Sequence, residues 1–137
     1  MAKNGFSMSN RVAVETISAS KTLTADDCGK RFVVETAGSA ATVTLPSPAS
    51  AEAGWNVAFI FESGSSAGNT TIESTAANIN IRGLEVASTV EGFASTTAQT
   101  RLVVSGSQVK NGDIVELVVA GGEYHARSFM SGGIAAS

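Results

Sequence analysis

The sequence predicts an all-β protein: a single small antiparallel β-sandwich or partly closed barrel with one or two single-turn helices and extended termini. Three observations lead there. Short runs rich in β-branched residues recur along the chain, separated by Gly, Pro, Asn and Asp turn signals. Trp55–Glu62 alternates with a period of two, setting Trp55, Val57, Phe59 and Phe61 on one face and Asn56, Ala58, Ile60 and Glu62 on the other. The length, 137 residues, is that of one ordinary domain, which buries roughly two-thirds of its unfolded surface. Hydrophobic residues make up 43%, much of it Ala and Val with few aromatics, so the expected core is thin.

Taken in order, residues 1–10 are polar and read as an N-terminal arm, residues 11–129 as one β domain and residues 130–137 as a C-terminal tail. A strand begins at Arg11, with Val12 and Val14 on one face and Ala13, Glu15 and Ile17 on the other. Thr24-Ala25-Asp26-Asp27-Cys28-Gly29 is written in capping chemistry: Thr24 caps, Asp27 returns the hydrogen bond and Gly29 takes the left-handed exit. Capping accounts for both aspartates without a catalytic role. Arg31–Thr36 and Ala41–Leu45 read as a hairpin across Ala37–Ala40. Ser47 and Pro48 open a short helix that Gly54 ends. Trp55–Glu62 is the strongest strand, followed by Thr70–Glu73 and Asn78–Arg82. Leu84–Thr100 yields no clear element. Arg101–Ser105 resumes a strand, and Ile114–Val119 with Glu123–Phe129 forms a hairpin around Gly121-Gly122. Met130 to Ile134 reads as a loose tail.

Composition narrows the function classes. Charged residues are 15% of the chain, below the usual ~25%, and the net charge is −3 with both signs scattered. No basic footprint for nucleic acid is visible, and no apolar run approaches the ~20 residues of a membrane span. A low-charge surface rich in small residues suits packing against other subunits. Cys28 is the single cysteine and His125 the single histidine, so neither an internal disulfide nor a Cys/His metal set can be written, and no cofactor is implied. Phosphate-loop, dinucleotide and nucleophile-elbow motifs are missing. Glu62, Glu73, Glu85, Glu91, Glu116 and Glu123 are glycosidase candidates by residue type alone, each at a strand end or on a polar side. The expectation is a non-enzymatic protein. The N-terminus lacks the apolar stretch of a signal peptide, which points to a reducing compartment or release with a particle.

Three stretches carry a resemblance. Lys21–Phe32 resembles the opening of a β module of tailed-bacteriophage structural proteins, in which a Leu-Thr-Ala-x-Asp-x-Gly-Lys turn leads into a strand. Ala41–Pro48 looks like its Thr-Val-x-Leu-Pro strand end, continued by the strand Gly54–Ile60. Gly112–Leu117 with Gly122–Ala126 resembles its closing hairpin. The resemblance covers roughly residues 20–128 and implies a virion protein. A free-standing copy of this size is similar to capsid decoration (cement) proteins, which cap capsomer junctions, often as trimers. That implies the major capsid protein and the chain itself, as a homotrimer, for partners. It also implies the capsid surface for location, after assembly in the host bacterial cytoplasm. The alternative is a tail-fibre or receptor-binding module that binds host-surface glycan.

The expected interface residues are apolar side chains near the two ends: Phe6, Met8, Val12 and Val14, then Phe129, Met130 and Ile134. A polar arm or a Gly/Ser-rich tail cannot bury such residues locally, so they would anchor on a neighbour. Val12–Ile17 is also expected to be able to add to a foreign sheet edge.

Overall fold

The computed structural model describes residues 12–35, 38–62, 68–86, 90–94 and 98–136, with the side chains of 81–97 and Ala136 left aside. Phe6 and Met8 lie outside the described residues. Two sheets face each other. The larger runs in the order β1 (Val14–Ile17), β3 (Arg31–Val34), β5 (Asn56–Phe61), β10 (Ile114–Ala120), β11 (Glu123–Met130), β7 (Ile79–Val86) and β8 (Val90–Ala94). The smaller runs β12 (Ile134–Ala136), β9 (Arg101–Val104), β6 (Thr70–Glu73), β4 (Ala41–Thr44) and β2 (Lys21–Thr22). The all-β sandwich is as expected, but the strands are not simply antiparallel.

From β1 to β6 the chain alternates between the layers. β1, β3 and β5 pair in parallel in one sheet, and β2, β4 and β6 pair in parallel in the other. The first half is thus a flattened coil of three turns. Parallel neighbours need a crossover, usually a helix; here the crossover is a strand of the opposite layer. Antiparallel pairing enters with β10, which lies between β5 and β11, and with β9, which lies between β6 and β12.

This corrects the expected hairpin between Arg31–Thr36 and Ala41–Leu45: β3 and β4 belong to different sheets. The Gly/Ser/Ala segment between them carries the chain from layer to layer, with Gly38 at φ 80°. By contrast, β10 and β11 are a true hairpin, and Gly121 and Gly122 take φ of 61° and 79°, as a tight primed turn requires. The unreadable stretch after Leu84 holds the end of β7 and the whole of β8, which pair antiparallel.

Alternation sends Phe32, Val34, Val57, Phe59, Phe61, Val115, Leu117, Tyr124 and Ala126 inward from the larger sheet, against Val43, Ile72, Leu102 and Val104 from the smaller. Phe32 and Phe59 stack at 5.6 Å, and Trp55 meets Tyr124 edge-on at 5.8 Å. The buried polar tips are satisfied: the Trp55 indole donates to the carbonyls of Thr24 and Ala25, and the Tyr124 hydroxyl donates to that of Pro46. Burial pushes the Tyr124 hydroxyl up to about 12, so it stays a donor.

Two short helices complete the fold as anticipated. In the 3-10 turn Ala25–Asp27 the Asp27 carboxylate accepts from the Thr24 N–H at 2.8 Å, and Gly29 exits at φ 79°. In α1 (Pro48–Ala51) the Ser47 hydroxyl accepts from the Ser50 N–H at 3.2 Å.

The C-terminal tail is also corrected. Met130 ends β11 and is buried, and Ile134 is a buried residue of β12, which pairs with β9. The buried Asp113 carboxylate holds the connection between them, accepting from the Ser131 N–H and hydroxyl at 2.9 Å and from the Lys110 N–H at 2.8 Å.

Candidate interaction face

Of the seven residues expected at an interface, the structure brings three to the surface. Val12 is 51% exposed, Val14 65% and Phe129 59%, and no other large hydrophobic side chain among the described residues is as open. Met130 and Ile134 are core residues instead. In a strand, neighbouring side chains point to opposite faces, so Phe129 points out because Met130 points in.

The exposed residues follow from the register of the larger sheet. On its outer side Val33 of β3 lies beside Ile60 of β5, Ile60 beside Ile114 of β10, and Ile114 beside Phe129 of β11. Val33, Ile60 and Ile114 are partly exposed, so an apolar row crosses four strands on the solvent face. One step along the strands, a second row runs Arg31, Ala58, Glu116, Arg127. A step in the other direction brings Glu35 and Glu62 together at the ends of β3 and β5, where their carboxyls hydrogen-bond each other. That hydrogen bond, and then the charge of Glu35, raises the Glu62 carboxyl above its ordinary range.

The arginine row borders a shallow cleft of about 140 Å³ lined by Arg31, Asn56, Glu116, Val118, His125 and Arg127. Arg31 Nη1 stands 3.9 Å from the Glu116 carboxylate. His125 Nε2 lies 3.2 Å from the Ala120 carbonyl, which ties the ring to its own hairpin. The lining offers charge and amide contacts but no hydroxyl or thiol.

β1 is the second feature. It is an edge strand whose one strand neighbour among the described residues is β3. Its inner side is closed by a chain of charges: Glu15 binds Lys21 and Lys30, and Lys30 binds Asp27 at 2.6 Å. Burial works against the charged Asp27 carboxyl, but hydrogen bonds from Lys30 and the Thr24 N–H outweigh it and hold it below its usual range. The Lys21 hydrogen bond likewise lowers Glu15. On its outer side β1 presents Val14 and Thr16, both exposed. Natural sheet edges are commonly blunted by charge or proline; this side of β1 carries neither.

The sequence reading missed the apolar row. On the outer face Val33 lies between Arg31 and Glu35, Ile60 between Ala58 and Glu62, and Ile114 between Gly112 and Glu116, and only the register sets the three side by side. Glu35 and Glu62 are also far apart in sequence. Among the described residues no group of three or more His, Cys, Asp or Glu is placed to hold a metal, and no helix is long and apolar enough to cross a membrane. No protein-family model matches the chain, and no curated protein is significantly similar to it.

Proposed function

We propose that this is a non-enzymatic structural protein of a tailed bacteriophage that decorates the outer capsid surface, with the major capsid protein as its principal partner. The single structural observation that supports this reading is the edge position of β1, whose one strand neighbour among the described residues is β3, with Val12 and Val14 exposed. An edge of this kind accepts an added strand, main-chain hydrogen bonds giving affinity and side-chain pockets giving specificity. The resemblance to phage virion modules supports it independently. The segments that carry it lie far apart in the chain, yet four of the strands they contribute, β3, β5, β10 and β11, are consecutive neighbours in the larger sheet. Crowding of copies on the shell suits the low charge of the chain, and Phe6 and Met8 are further apolar anchors in its sequence.

The test is co-sedimentation of the purified protein with undecorated shells. Removing residues 1–10, or replacing Val12 and Val14 with serine, is expected to weaken shell binding at least tenfold while leaving the melting temperature nearly unchanged. Full binding by both variants contradicts this attachment mode.

A further inference from the structure

The outer face of the larger sheet is self-complementary along β3. β3 carries Arg31, Val33 and Glu35 on this side at two-residue steps of roughly 6.7 Å, so a positive, an apolar and a negative group stand in line on one strand. The other strands follow the order only in part: β5 carries Ala58, Ile60 and Glu62, β10 Glu116 and Ile114, and β11 Arg127 and Phe129. The apolar row of Val33, Ile60, Ile114 and Phe129 has Arg31 and Arg127 along one flank, with Glu116 between them, and the Glu35–Glu62 pair along the other.

We infer that two copies of this chain pair face to face through this surface, about a two-fold axis that runs along the apolar row. Rotation about that axis keeps each residue over its own strand and exchanges the two flanks. Val33, Ile60, Ile114 and Phe129 of one copy meet the same residues of the other. Arg31 of one copy stands over Glu35 of the other, and Glu35 over Arg31, which is the reciprocal pattern of an isologous contact. Two observations select a second copy over another occupant. Arg31 and Glu35 stand at equal steps on either side of the axis, so they pair reciprocally with a copy of the same strand, and the Glu35–Glu62 carboxyl pair of one copy is thereby brought under the Arg31 of the other. The two-fold pair takes the place of the homotrimer that the resemblance implied, and it leaves the β1 edge open for the shell. It stands whether or not the protein decorates a capsid.

The interface is small. Four strands at ~4.8 Å and three rows at ~6.7 Å give on the order of 400 Å² per copy with side-chain margins, about half the standard figure. The pair is therefore weak and concentration-dependent in solution, and stronger where copies are crowded.

Charge exchange tests this directly. R31E puts two acidic groups on β3 and E35R puts two basic ones, so each variant alone brings like charges together. Sedimentation velocity up to about 1 mM is expected to show concentration-dependent dimers of the natural chain and monomers of each variant. An equimolar mixture of R31E and E35R is expected to dimerise, because residue 31 of each then faces an opposite charge at residue 35 of the other. The double variant R31E/E35R is expected to recover the homodimer. A second pair of variants, Ile60→Ser and Phe129→Ser, is expected to abolish pairing without a change in melting temperature. Monomers of the natural chain throughout, a trimer, or a mixture that stays monomeric overturns the proposal. So does retention of the face, in variants that do not pair, as the surface protected by the shell or by another protein.

Discussion

At the scale of single residues, the chemistry legible in advance was that whose partners are close in sequence. Thr24, Asp27 and Gly29 form their turn as read, because capping is settled within a few residues. Replacing Asp27 with alanine removes the Thr24 N–H acceptor and the Lys30 partner; loss of the cap costs about 0.5–2 kcal/mol, measurable by urea unfolding. The same carboxylate gives the fold an acid limit. Asp27 and Glu15 titrate below their unfolded values of 3.8 and 4.5. Their contribution is therefore present above those values and lost as pH falls through the lower folded-state ones. The melting temperature should drop as pH falls below about 4, and the drop should be shallower in Asp27→Asn. Glu35 and Glu62 show the limit of such reading, since only a parallel register brings them together.

At the scale of elements, period-two alternation located most strands but could not choose their neighbours. β6 matches its expected bounds, and Trp55, Val57, Phe59 and Phe61 face inward from a strand flanked on both sides. Phe59→Ala is expected to cost on the order of 3–5 kcal/mol. The alternation of a parallel strand looks the same as that of an antiparallel one, which is why β3 and β4 were read as a hairpin. The tail was misread for a related reason: the glycines after Met130 mark a turn into another strand, not an end to the fold. The two readings separate cleanly in a mutation. Met130→Ala is expected to destabilise by about 2–5 kcal/mol, whereas Phe129→Ala, one residue away on the outer face, should fall within about 0.5 kcal/mol of neutral. Equal small effects at both positions would restore the loose tail.

At the scale of the whole molecule, a short parallel coil is closed by later strands that bring in antiparallel pairing, and its first turn leaves β1 with one strand neighbour among the described residues. The same arrangement lines up four apolar residues on the outer face, with Arg31 on one flank of β3 and Glu35 on the other. Edge and face meet along β1 and β3, so the proposed shell attachment and the proposed pairing of copies use adjoining surfaces without competing for one. The fold class followed from composition and alternation. The interaction surfaces did not, because they are properties of register, and register between strands in a coil is set by packing across the layers. The most direct test of the proposed capsid role is to locate the protein on purified virions of a phage whose genome encodes it, by immunogold labelling against this chain. The account predicts dense label over the heads, lost when Val12 and Val14 are replaced by serine in the encoding phage. Label confined to the tail tip, or virions that carry none of the protein, would contradict it.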